Sequence, residues 1–275
     1  MTATPIDFRL AEDEAVFGGK SVQLGASLRA GLPVPPGWAL SVDFVEAVVN
    51  AEPAALELFE QFLSDKPVPF AVRSSGVGED AAIASFAGQH FTELNRIGFA
   101  DVVKALHLVW NSGHSAGAMA YRAKLGISGA PRTAVALQKM VFPECAGVMF
   151  TRHPVTAADE IVIEASWGLG EAIVEGLVIP DRWRFSKDDR LLERLAGVKD
   201  LIMCALPGGG VVETAIDDEA KIHGFCVNEG QVSALLELAH RCDQYFGAGR
   251  DIEWGIENDI LYLLQCRAIT AGPTA

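Results

Sequence analysis

Near residues 126–131 the apolar pattern of this chain changes its period, and that switch limits the folds open to it. Upstream, apolar residues recur at helical spacing over 20–31, 43–50, 53–63, 99–110 and 115–125, with short apolar strands at 38–40 and 69–74. Downstream, β-branched and sulfur-containing residues crowd into runs at 133–141, 146–151 and 160–165. A hairpin follows at 182–186 and 191–198, then a loop at 207–210 and a helix at 229–246. Two strands, 251–256 and 260–266, close the chain. This order predicts an α+β architecture of two lobes, residues 1–128 and 129–275. There is no internal repeat to suggest a solenoid.

Half of the 275 residues are hydrophobic, enough to build a sizeable core. The formal net charge of −14 makes nucleic acid and anionic membrane poor partners. Five cysteines, an odd number with no CxxC pair, argue against a disulfide framework and a zinc site. The first ten residues carry Asp7 and no long apolar run, and no segment approaches a membrane span. A cytoplasmic protein is expected.

Five motifs could carry chemistry. In Phe17-Gly18-Gly19-Lys20-Ser21 a Walker A loop would need glycine where Glu14 stands. Two glycines before a lysine at a helix start still suit a phosphate, against the plainer reading of a surface lysine after a turn. Arg73 leaves an apolar strand, Phe70-Ala71-Val72, into a loop of small residues reaching Ser85, Gly88 and Gln89. A guanidinium so placed needs an anion, which is a ligand or else Glu79 or Asp80. Arg122, after Tyr121 on a helix, reads by spacing as an exposed charge. The turn Gly168-Leu169-Gly170-Glu171 is not a dinucleotide fingerprint, because Ile173 replaces its third glycine. It is a strand-to-helix turn or one wall of a purine pocket.

The fifth motif is the most informative. Alternation puts Asp251 and Glu253 on one face of a strand, and Gln265 and Arg267 on one face of the next. Carboxylate and amide oxygens suit Mg2+, and an arginine beside them suits phosphate; a cross-strand salt bridge is the alternative. Parity limits the connection. Glu253 faces Gln265, and Asp251 faces Arg267, only if the loop holds an odd number of residues centred on Asp259; a two-residue Asn258-Asp259 turn would separate the pairs. The expected loop therefore has about three or five residues.

In order along the chain, FGGK, GLPVPPGW, AVRSS, EDAAIASFAGQ, AYR, QKMV, AGVMFT, EASWGLGEAIVEGLVIPD, DIEW and LLQCRAIT resemble the ATP-binding domain of the phosphoenolpyruvate synthase and pyruvate phosphate dikinase family. The resemblance spans nearly the whole chain, and its specificity lies in the ordered set. It implies an ATP-grasp-type fold with a nucleotide cleft between two lobes, binding ATP and Mg2+. By resemblance, Lys20, Arg73 and Arg122 match phosphate-binding positions, and Arg267 lies on the phosphates. Glu253 and Gln265 match metal ligands, with Asp251 beside them. Gln138 and the turn Gly168, Gly170 and Glu171 match segments near the base, and Ser85, Gly88 and Gln89 a flap over the phosphates.

The family passes a phosphoryl group to a histidine on a separate carrier domain. None of the six histidines here has that setting, and His153, after Thr151-Arg152, is expected to be structural or at the cleft rim. The expectation is a phosphotransfer subunit serving a carrier in trans, or one part of a longer chain, with the ordinary Met1 start favouring the former. An ATP-binding regulatory module and a ligase acting on a small carboxylate remain as alternatives.

Overall fold

The computed structural model describes residues 5–66, 68–78, 91–124 and 129–269, with only the backbone at 121, 122 and 124. Ser85, Gly88 and Gln89 lie outside the described residues, as does the Arg122 side chain. The fold is α+β and divides into two compact units. The first comprises residues 1–29, 35–140 and 206–210, and the second residues 30–34, 141–205 and 211–275.

The first unit holds β1 (Ile6–Asp7), α1 (Glu14–Arg29), β2 (Gly37–Leu40), α2 (Val42–Val49), α3 (Pro53–Ser64), β3 (Phe70–Gly76), β4 (Thr92–Arg96), α4 (Gly98–Gly113), α5 (Ala116–Lys124) and β5 (Thr133–Lys139). Its five strands run antiparallel in the order β1-β2-β5-β3-β4. Alternation divides the labour of β3 and β5. Phe70, Val72, Val135 and Leu137 face a core made with Phe44, Phe59 and Leu106 of the helices. Burial of each such side chain contributes about 1.5–3 kcal/mol. Ala71, Ala134 and Ala136 lie on the opposite face, where α1 packs; their small side chains let the helix approach.

The second unit holds β6 (Cys145–Phe150), β7 (Glu160–Trp167), α6 (Glu171–Val174), β8 (Asp181–Ser186), β9 (Leu191–Leu195), β10 (Leu201–Ala205), β11 (Val211–Ala215), α7 (Glu219–His223), α8 (Glu229–Phe246), β12 (Arg250–Glu257) and β13 (Ile260–Ala268). Six of its strands form an antiparallel sheet in the order β13-β12-β6-β7-β8-β9. One face carries Ile252, Met149, Ile163 and Trp183 in a single cross-strand row. Helix α8 packs against β12 and β13, burying Leu235, Leu238, Ala239 and Cys242. Its start is fixed by reciprocal side-chain bonds of Asn228 and Gln231 to each other's backbone N–H.

One expectation holds with an addition, and one needs correction. The 207–210 loop is the turn of a hairpin, β10–β11, whose strands the pattern did not suggest. The closing loop is not three or five residues long. Glu257 pairs with Ile260, leaving a two-residue Asn258-Asp259 turn with both residues at positive φ, 51° and 59°. Parity is restored by a β-bulge: Glu253 pairs with Gln265 but Trp254 with Leu263, so Leu264 is the extra residue. The facing pairs are thus as expected, but the odd residue lies inside β13 instead of in the turn.

Candidate functional site

In the first unit the FGGK segment forms a kink. Gly18 interrupts α1 with φ 71° and ψ 163°, and a Cβ there would lie 1.9 Å from the carbonyl oxygen of Ser75. Both the backbone angle and the close approach require glycine. Ser75 Oγ donates to the Phe17 carbonyl (2.8 Å) and accepts from the Ser21 N–H (3.0 Å), clamping the restart of the helix to β3. Lys20 lies at this restart, only 8% exposed.

Arg73 is 7% exposed and Gln138 2% exposed. Residue 73 stands two positions along β3 from Ala71, which faces Gln138, so the two side chains are diagonal neighbours on one face. Arg73 Nη1 donates to Gln138 Oε1 at 3.4 Å. Among the described residues, Gln138 Nε2 and Ser21 Oγ are buried without a hydrogen-bond partner. Unsatisfied polar atoms buried beside a cationic side chain favour a polar, anionic ligand.

In the second unit the polar side chains align across strands. Gln265, Glu253, Val148, Glu164 and Arg182 form one row across β13, β12, β6, β7 and β8. Arg267, Asp251, Phe150, Val162 and Arg184 form the row beside it on the same face. Arg267 donates from Nε to Asp251 Oδ2 at 2.8 Å, and its Nη2 is also 2.8 Å from that oxygen. Burial pushes the Asp251 carboxyl above its ordinary range, Arg267 pulls it back, and the Glu253 carboxylate adds to the upward push.

Sequence reasoning missed Glu164, although alternation from Glu160 through Val162 places it on this face. Burial raises its carboxyl; Arg182 and His153 oppose that shift. The raised group contributes favourably below the ordinary carboxylate range, and that contribution is lost as pH rises through the folded value. Glu164→Gln is therefore expected to raise the Tm of the free protein at about pH 7, with the gain shrinking toward about pH 4. A gain of equal size at both pH values would show that charge is not the cause.

At the far end of β7, Gly168 has φ 72°, and a Cβ there would meet the Met203 carbonyl oxygen at 2.5 Å. The Leu169 N–H donates to that oxygen at 3.1 Å. The turn borders a cavity of about 520 Å3 lined by Phe142, Trp167, Leu169, Met203 and Lys221 among others. Gly170 precedes the four-residue helix that Glu171 opens. His153 Nδ1 faces the N–H groups of Val155 (3.2 Å) and Thr156 (3.3 Å) and so holds its own loop.

The family model described as pyruvate phosphate dikinase, AMP/ATP-binding domain, matches residues 52–275. Among curated relatives, a probable phosphoenolpyruvate synthase of Methanothermobacter thermautotrophicus is 33% identical, covering 94% of this chain and 44% of that protein. A rifampicin phosphotransferase of Bacillus cereus is 37% identical over 73% of this chain and 23% of its own. An uncharacterized phosphotransferase, YvkC, of Bacillus subtilis is 33% identical over 96% of this chain and 34% of its own. The chain thus spans less than half the length of these relatives.

Proposed function

The chain belongs to the family of the pyruvate phosphate dikinase AMP/ATP-binding domain, and from that premise we propose that it is the Mg-ATP-binding part of a dikinase-type phosphotransferase. The observation that carries the reading is the cross-strand register of the closing hairpin, Glu253 against Gln265 and Asp251 against Arg267 on one sheet face. In this reading the first unit supplies phosphate-binding cations: Lys20, Arg73 and Arg122. The second supplies the metal ligands and Arg267. The cavity beside Gly168 and Leu169 takes the base.

A carboxylate facing an amide suits Mg2+, a hard cation that keeps several waters and takes phosphate oxygens as further ligands. Among the described residues no group of three or more His, Cys, Asp or Glu could hold a metal. A cation bound mostly through phosphate and water needs no such cage. Glu253 and Gln265 would hold it, with Asp251 beside them, and the ion would neutralise charge on the phosphoryl oxygens. Lys20 and Arg73 bind and orient the triphosphate, and Arg267, held by Asp251 through Nε and Nη2, turns its remaining donors to a phosphate. Transfer to a partner histidine then depends on alignment and charge stabilisation, without a protein base.

The test incubates the protein with Mg-ATP and candidate histidine-bearing carrier proteins, and follows AMP and phosphohistidine. Both products are expected with the cognate carrier. ADP formed only with a carboxylate and an amine would replace the reading with a ligase. Tight binding without turnover under any partner would make the chain a nucleotide sensor.

Among the described residues no helix is long and apolar enough to cross a membrane.

A further inference from the structure

Strand β9 is an open edge of the six-stranded sheet, with no strand paired outside it among the described residues. Its sequence, Leu191-Leu192-Glu193-Arg194-Leu195, exposes Leu191 (51%), Leu192 (42%) and Leu195 (47%). The edge is short and carries Glu193 and Arg194 beside a bulge at Leu192, yet it leaves three leucines uncovered. Beside this edge, on the α8 side of the sheet, lies a cavity of about 640 Å3 with Trp183, Phe185, Leu191 and Leu236 among its walls. It is on the opposite sheet face from the Glu253 and Gln265 row, because Trp183 and Arg182 alternate on β8.

The charges around the cavity point to the sign of its occupant. Its cations face groups of the chain itself. Arg194 lies 4.1 Å over the Phe225 ring, Arg241 donates to the Gly31 carbonyl at 2.6 Å, and His240 Nε2 is 2.7 Å from Asp189 Oδ1. Helix α8 adds an exposed stripe, Glu229, Ser233 and Glu237, spaced four residues apart on one face. The three carboxylates of the lining, Asp189, Glu229 and Glu237, outnumber its two arginines, on a chain of net charge −14.

Charge disfavours a second copy of this chain at the edge. A twofold axis normal to the sheet keeps each side chain on its own face, so the pairing must centre on a residue that meets itself. Centring on Glu193 or Arg194 sets like charges face to face. Each of these registers is repulsive, and two such acidic chains also repel at long range.

We propose that β9 and its cavity are a docking site for an extended segment of another polypeptide, with apolar and basic residues on the side that faces α8. The segment adds to β9 as a seventh strand. Its main chain pairs with the open edge, its apolar side chains enter the cavity, and its lysines or arginines meet Glu229 and Glu237.

The probe is a fluorescein-labelled peptide of two Val-Thr-Lys-Thr repeats, which places Val and Lys on one face of a strand, with a Glu-for-Lys counterpart as control. Fluorescence anisotropy with the full chain is expected to show binding of the Lys peptide only. The double substitution Glu229→Lys and Glu237→Lys is expected to weaken that binding roughly tenfold and to admit the Glu peptide. Leu191→Ser is expected to weaken binding of the Lys peptide. ATP binding should be unchanged in these variants, which separates this proposal from the function proposed above. Hydrogen exchange should show new protection at β9 and none at β13 when the Lys peptide is bound.

Absence of binding overturns the proposal. So does equal binding of both peptides, or binding that the double substitution leaves unchanged, which would be nonspecific attraction to an acidic chain. Sedimentation showing a dimer that Leu191→Ser dissolves would assign the edge to self-association instead.

Discussion

Replacing Lys199 with methionine is expected to cost about 3–5 kcal/mol of stability, the loss typical when one partner of a buried ion pair is removed. Lys199 and Asp181 are both 0% exposed, and Lys199 Nζ donates to Asp181 Oδ1 at 2.5 Å. Asp181 is also the acceptor for two buried backbone donors, Gly197 N–H and Cys226 N–H, each at 2.8 Å. One carboxylate therefore ties β8 to the segment before β10 and the segment before α8. Without the ammonium it remains buried and charged, facing two amides. The Tm is expected to fall by roughly 10 °C, read by calorimetry. Adding Asp181→Asn should recover part of the loss, because it removes the stranded charge and keeps an acceptor. A cost below about 1 kcal/mol for the single substitution, as for an exposed pair, would show that the site is wetter than the structure indicates.

The second large effect concerns ligand binding. Lys20→Ala is expected to weaken Mg-ATP binding by roughly 100-fold, the scale of losing a desolvated charge-assisted contact. Adenosine binding should change by less than about threefold, since nothing in it needs the ammonium. Titration calorimetry on both ligands measures the split. Equal losses would mean that Lys20 supports the kink at Gly18 and not the phosphates. Lys20 is outside the residues matched by the family model, 52–275, so this substitution also tests whether the early part of the chain belongs to the same site.

Much of the fold could be read from the sequence because it depends on local patterns. Helix α8 begins and ends where its apolar period placed it, at 229 and 246. What stayed hidden depends on partners far along the chain. Strand β4, Thr-Glu-Leu-Asn-Arg, has no apolar run, and β11 is largely exposed, so neither announces itself. Asn95 of β4 has φ 54° because its Nδ2 donates to the carbonyls of Leu206 and Gly210 at 2.7 Å, over 110 residues away. No window of sequence contains that bond. The site divides in the same way. Alternation puts Asp251 with Glu253, and Gln265 with Arg267, on one face of each strand, but their facing across the hairpin needs the Leu264 bulge, as the union of Arg73 with Gln138 needs the register of β3 on β5. Asp181 was legible as part of a motif, but its need for Lys199 was not.

The extra residue at Leu264 makes the closing hairpin a counting device with two settings. Between Ile260 and Leu263 the strand keeps step with the tight turn; from Gln265 onward it keeps step with the carboxylates. A lone insertion or deletion at the tip would turn Gln265 and Arg267 away from Asp251 and Glu253 toward the side where Cys266 lies. Lengthening the tip by one residue while removing Leu264 would leave those four groups facing as they do now. The length of the connection and the chemistry of the strands are therefore linked through a leucine that takes no part in either.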